Sequence, residues 1–177
     1  MRTNSFIFLT TLINLVSIGA FAQCSITKTA IDSNTTYIAK AESIYRNKDL
    51  ENGLLTAFFQ LVVIQKGDNK DLLKFGCIAK VLASRPKSSL VPRQIVFLFD
   101  DSTEIALLAE DANLSQPMAG INQNQCNYQF SSREFLKFQS NKLQSITIRD
   151  TRLNEQIICQ PFNGLIQEQA NCIAKKL

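Results

Sequence analysis

The 177-residue chain has no histidine and no tryptophan. Without an imidazole, neither Ser-His nor Cys-His nucleophile pairs can be assembled, and zinc sites that mix cysteine with histidine lose half their ligands. All-cysteine zinc frameworks are excluded as well, because Cys24, Cys77, Cys126, Cys159 and Cys172 never come within C-x-x-C spacing. Glycine is scarce, 6 in all, and forms neither a phosphate-cradling loop nor a Gly-x-Ser-x-Gly elbow around Ser131 or Ser132. A Ser-Lys dyad survives only as a formal option, since nothing marks out its serine. The expected content of metal and cofactor is therefore none. A formal net charge of +4, with aromatics at core spacing rather than among the basic residues, gives no signature of nucleic-acid binding.

The first clear positive signal is an export sequence. Arg2 and the amino terminus precede a mostly apolar run from Phe6 to Ile18, which is followed by the small-x-small triplet Ala20-Phe21-Ala22. The run is shorter than the roughly 20 residues of a membrane span, and no later stretch is apolar enough to make one. Residues 1–22 are read as a cleavable signal peptide and residues 23–177 as a single β-rich domain. Cys24 stands close to the cleavage site, but lipid attachment wants a small residue before the cysteine, and Gln23 is there instead. All five cysteines would enter an oxidising compartment, where pairing is the default and an odd number leaves one over.

Residues 25–53 fit a helical face through Tyr37, Ala41, Ile44 and Tyr45 or an irregular strand, and extended structure is preferred. Leu54 to Gln65 reads as a buried strand closed by the turn-like Lys66-Gly67-Asp68-Asn69. The next run alternates, with Leu73, Phe75, Cys77, Ala79 and Val81 opposite Lys74, Gly76, Ile78 and Lys80, and it pairs back on the preceding strand. Pro86 and Pro92 make residues 84–93 a surface loop. Ile95 to Phe99, apolar on both faces, is a central strand, joined through Asp100-Asp101-Ser102-Thr103 to a second strand at Ile105 to Ala109. Asn113 to Asn127 reads as a long polar loop.

Ser131 three residues before Glu134, between Phe130 and Phe135, is a capping box with a hydrophobic staple. It predicts a helix over about 132–143 that buries Phe135, Leu136, Phe138 and Leu143. Ser145 to Arg149 and Gln156 to Gln160 read as strands, and Asn163 as the cap of a last helix over about 164–174 with Leu165, Ile166, Ala170 and Ile173 inward. The fold class expected is α+β, predominantly antiparallel β, in a two-layer, sandwich-like arrangement.

From the central strand onward the order is acidic hairpin turn, cysteine, capped helix, an Ile-Thr-Ile-Arg strand (Ile146 to Arg149), then a C-terminal helix holding Cys172-Ile173. This resembles a group of uncharacterised small exported domains of Gram-negative bacteria over roughly residues 54–173, although Ser102 stands where that group has glycine. The resemblance implies no activity and no catalytic residue. It does imply a cysteine at each of the positions of Cys126 and Cys172. Together with the loop reading around Cys126, and the apolar strand phase of Cys77 and Cys159, it nominates Cys126 and Cys172 as a disulfide, with a second bridge among the remaining cysteines left open. Such a bridge would close a loop of about 46 residues and disfavour the unfolded chain by roughly 4 kcal/mol.

Other constellations have plain readings beside their chemical ones. Asp100, Asp101 and Glu104, with Glu110 and Asp111 beyond, could offer paired carboxylates or calcium ligands but read first as a solvated turn. Arg85, Lys87 and Arg93, and separately Arg133, Lys137, Lys142, Arg149 and Arg152, read as solvated surface or contacts to an acidic envelope polysaccharide or headgroup. Tyr37, Tyr45 and Tyr128 read as core or rim rather than a carbohydrate platform. The expected function is a non-catalytic binding or structural module of the cell envelope, periplasmic or secreted, with an envelope protein or polysaccharide as partner. Its rivals are a histidine-independent hydrolase using the acidic cluster and an inhibitor or immunity-like partner. N-terminal sequencing of the exported protein should begin at Gln23; retention of residues 1–22 would contradict the cleavage reading.

Overall fold

The computed structural model describes residues 25–49, 53–67, 72–84, 90–114, 121–160 and 164–177. The apolar run after Gly53 becomes a single long strand, β4 (Gly53–Lys66). Its length lets one edge serve two partners, β3 (Glu42–Asp49) along the first half and β2 (Asn34–Ala39) along the second. Along its other edge runs β5 (Leu73–Ala83), paired from Leu55↔Ala83 to Gln65↔Leu73. β1 (Ile26–Ile31) extends the sheet beyond β2, while β9 (Asn122–Phe130) and then β8 (Asp111–Leu114) extend it beyond β5. This seven-stranded sheet faces a four-stranded one ordered β11 (Glu155–Cys159), β10 (Leu143–Asp150), β6 (Gln94–Phe99), β7 (Glu104–Leu108). Every pairing is antiparallel. Residues 26–49 are thus extended apart from the turn at 32–33 and the break at 40–41, and Ile95 to Phe99 is central in its sheet.

The period-2 alternation sends Phe59, Leu61 and Val63 of β4, Phe75, Cys77 and Val81 of β5, and Cys126 and Tyr128 of β9 to one face. Ile95, Phe97 and Phe99 of β6 and Ile146 and Ile148 of β10 face them, and all are buried. Phe59 and Phe97 join the sheets edge to face at 5.6 Å. Two helices fill the end the smaller sheet leaves open. α1 (Ser132–Ser140) starts as its sequence requires: Glu134 N donates to Ser131 Oγ at 3.3 Å and Ser131 N to Glu134 Oε2 at 2.6 Å. Phe130 and Phe135 stack at 6.4 Å as the staple, and Phe138 lies edge to face on Phe97 at 4.8 Å. α2 (Leu165–Ala174) packs on α1, β2 and β4 through Ile166, Ala170 and Ile173.

Several expectations are corrected. α1 ends at Ser140 rather than near residue 143, because Leu143 opens β10; Leu136, expected inside, is exposed. Asn163 lies outside the described residues, and the N-cap of α2 is Gly164, whose φ of 83° suits a residue without Cβ. The long polar loop does not extend to Asn127. Residues 122–130 form β9, where polar Gln125, Asn127 and Gln129 take the outward phase, while inward Asn124, a polar break in an otherwise apolar phase, hid the alternation from the sequence.

The end of the supposed surface loop also differs: Leu90, Val91 and Pro92 are buried between the sheets. Burying that backbone requires partners for its polar groups, and side chains from two strands supply them. Asn124 Nδ2 donates to Leu90 O at 3.0 Å, and Tyr128 Oη donates to Pro92 O. Asp150, 2% exposed, accepts from Val91 N at 3.0 Å through one oxygen and from Arg152 N (3.0 Å) and Leu153 N (3.4 Å) through the other. Arg93 Nε lies 3.6 Å from the same carboxylate, so Arg93 is not a cation without an acid. Burial alone would raise the Asp150 carboxyl, but these backbone donors and Arg93 outweigh it and hold it below the usual range.

A carboxyl depressed in the folded state stabilises the protein fully above its unfolded value, about 4, and loses that contribution as pH falls through the lower folded value. Asp150→Asn should therefore lower the unfolding free energy by about 2 kcal/mol at pH 7, with the gap to wild type narrowing in acid. Urea titrations at pH 7 and pH 3 check this. An equal gap at both would contradict the charged tie.

Candidate functional site

The same alternation that builds the core gives the seven-stranded sheet a second face. Register sets its cross-strand rows as Val62–Gly76–Gln129, Gln60–Ile78–Asn127 and Phe58–Lys80–Gln125. Ile38 of β2 stands beside Val62, and Ile64 and Lys74 are paired at the end of the rows. In a two-layer sandwich the outward phase is ordinarily polar. Here Ile38, Phe58, Val62, Ile64, Ile78 and Leu82 make it apolar across β2, β4 and β5, each half-buried, and β9 borders them with Gln125, Asn127 and Gln129. Two open concavities lie on this face with Ile78 in the wall of both. The larger, about 300 Å³, has Val62, Ile64 and Gly76 in its lining with Lys74 and Glu110 at its rim. The smaller, about 210 Å³, lies among Ala41, Phe58, Gln60, Lys80 and Leu82. Glu110 accepts a hydrogen bond from Gln129 Nε2 at 2.8 Å, which fixes one amide of the border.

Gly76 makes the larger concavity. It has no side chain in the middle of its row, and a Cβ there would lie 2.6 Å from the Tyr128 carbonyl oxygen. The glycine lets β5 and β9 approach closely and leaves a gap on the outer side.

The residues nominated from sequence are dispersed and mostly engaged. Asp101 accepts from Thr103 N at 3.0 Å and from Asn141 Nδ2 at 3.0 Å, and pairs with Lys137 Nζ at 3.4 Å. The hydrogen bonds from Thr103, reinforced by Lys137, lower its carboxyl from the usual value. Its role is to lock the β6–β7 turn onto α1, with Ser102 taking the left-handed conformation (φ 62°) that glycine would otherwise supply. Asp100 and Glu104 are exposed on that turn, Glu110 stands on the opposite sheet's rim, and the side chain of Asp111 lies outside the described residues. Arg85 and Lys87 also lie outside them. Lys137 covers the Phe99 ring at 5.2 Å, and Arg149 Nε donates to Gln156 Oε1 at 3.2 Å. Tyr37 and Tyr128 are buried and Tyr45 half-buried, so no tyrosine platform is assembled. Among the described residues no group of three or more His, Cys, Asp or Glu is placed to hold a metal ion.

The disulfide nominated between Cys126 and Cys172 is not formed. Cys126 is a free, buried thiol on the inward phase of β9, opposite Ala79. The nomination failed with the loop reading on which it stood. Cys77 and Cys159 are free and buried, as small core hydrophobes should be. Burial pushes the Cys126 thiol up to about 11, Cys159 up to about 12 and Cys77 higher, which keeps all three protonated and poor nucleophiles.

No family model, no curated protein and no solved structure matches the chain.

If Gly76 is needed where β5 meets β9, Gly76→Ala should cost about 1–3 kcal/mol, the range for overpacking a close-packed contact. Equilibrium urea unfolding reads this. An unchanged midpoint would mean that the strands have room for the methyl group.

Proposed function

We propose that the protein is an exported, non-catalytic binding module whose recognition surface is the outer face of the seven-stranded sheet, and that its partner is an envelope protein. The composition of that face carries the reading. A sheet face that only meets water has no reason to bring six large apolar side chains together over three neighbouring strands, and contiguous apolar surface of this kind marks interaction sites. The choice of a protein over a polysaccharide follows from its chemistry. Branched aliphatic side chains, with Phe58 the single aromatic named among them, around concavities of about 300 and 210 Å³ suit apolar side chains of a partner, whereas sugar rings are held on flat platforms of several aromatic rings. Lys74 and Glu110 at one rim offer a charge of each sign, and the amides of β9 can donate and accept at the border. The export signal read from residues 1–22 supports a partner met in the envelope.

A pull-down from the native envelope fraction tests this with wild type beside Ile78→Glu, which puts a charge between the two concavities without entering the core. One defined envelope protein should be retained by wild type and lost, at least tenfold, by the folded variant. Equal retention by both, or retention of purified envelope polysaccharide in place of a protein, would contradict the reading. The triple change Asp100→Ala, Asp101→Ala, Glu104→Ala should leave capture intact.

A further inference from the structure

We propose that the envelope partner is held by strand addition: an extended segment of it pairs with the open edge of β1, and its alternate side chains continue the outer face of the larger sheet. The proposal deepens the recognition reading above and rests on it for the partner's being a protein.

β1 ends the seven-stranded sheet on one side, and among the described residues no strand pairs with its far edge. The register settles which backbone groups that edge presents. Lys40 N donates to Ser25 O at 3.0 Å, so Ser25 and Lys40 face each other as a hydrogen-bonded pair, in line with the ladder from Ile26↔Ala39 to Ile31↔Asn34. Bonded and non-bonded pairs alternate along an antiparallel ladder. Thr27, Thr29 and Ile31 therefore turn their N–H and C=O toward β2, and Ile26, Lys28 and Ala30 turn theirs to the open edge. Donors and acceptors in such a row are matched group for group by another extended backbone.

Exposed edges are ordinarily blunted by shortness, proline, a bulge or charge. β8 has four residues, β7 and β11 have five each, and the edge of β3 approaches β11. β1 has six residues, an unbroken register and no proline. Its one charge, Lys28, lies over the Tyr37 ring of β2, 5.5 Å from the centroid, and so leans away from the edge.

The side chains of β1 specify the occupant. Thr27 pairs with Ile38, which pairs with Val62; Thr29 pairs with Thr36, which pairs with Ile64. The rows of the outer face thus run through to β1 and end on Thr27, Thr29 and, in the same phase, Ile31, which is 66% exposed. A strand laid beside β1 puts every second side chain on that face, where β-branched and apolar residues suit. Its other side chains stand beside Lys28, where a carboxylate suits. The same lysine disfavours a second copy of this chain. The two-fold antiparallel pairing that engages Ile26, Lys28 and Ala30 together sets Lys28 directly opposite its own copy, like charge against like. The occupant is an alternately apolar segment of a different protein, with an acid on its other phase.

Hydrogen–deuterium exchange of residues 25–31, resolved to single amides, tests this on the purified protein and on the protein in its native envelope fraction. In the purified sample Ile26, Lys28 and Ala30 should exchange fast and Thr27, Thr29 and Ile31 slowly. In the envelope the first three should slow by about tenfold. Unchanged exchange at those three amides would overturn the proposal. Slowing in the purified protein as its concentration rises would mark a second copy and overturn it too. Ala30→Pro removes one outward donor and spares the β1–β2 ladder, so the folded variant should lose the envelope protection at Ile26 and Lys28; protection that survives the proline would contradict strand addition. Hydroxyl-radical protection of the β4–β5 face in the envelope, without slowing at β1, sinks strand addition alone, whereas the absence of both sinks the face reading as well.

Discussion

Everything distinctive about this fold depends on the register of three neighbouring strands, β4, β5 and β9. Because side chains alternate with a period of two, one register decides both faces at once. In the observed one, Phe59, Leu61, Cys77, Ala79, Cys126 and Tyr128 go inward and the core closes on β6 and β10. The same choice sends Val62, Ile78, Asn127 and Gln129 outward. A slip by one residue would bury Lys74 and Lys80 and expose the aromatic core, so the proposed recognition surface is held in place by the free energy that holds the domain together. Gly76 belongs to both faces, permitting the close strand approach and leaving the gap outside.

The smaller sheet is attached by polar bonds as well as by apolar contact. Asp150 gathers donors from the buried segment before β6 and from the turn after β10, while β9 reaches the same segment through Asn124 and Tyr128. These bonds link the two sheets where the connection between them enters the core. Polar groups so placed stabilise only when satisfied together, which is why one carboxylate held below its usual range matters more here than the exposed acids of the β6–β7 turn.

Much of this was legible in the chain. Capping box, staple and strand alternation stand in the sequence because each is a local rule with its own residues, and so β4 to β7, the elements from α1 to α2 and the antiparallel two-layer architecture could be read, while β8 and β9 could not. The larger failures have one physical source. Asn124 and Asp150 are polar residues turned inward, paid for by distant backbone partners that no local pattern shows. The first concealed β9 and misplaced Cys126, and with it the disulfide; the segment that both residues hold passed for a surface loop because its prolines signal only a break in pairing. The proposed recognition face was half visible. Apolar residues on both phases of β4, and Ile78 on the polar side of β5, hinted at a second apolar surface, but its amide border depended on β9.

If the outer face of the larger sheet is the recognition surface, it is open to water in the isolated protein and covered by its partner in the envelope. Hydroxyl-radical footprinting, on the purified protein and on the protein in its native envelope, measures that difference without knowledge of the partner. Phe58, Ile64 and Ile78 should be oxidised in the purified sample and protected several-fold in the envelope, while Leu108 and Ile158, exposed on the other sheet, react equally in both. Equal oxidation of the β4–β5 face in the two samples would contradict the account.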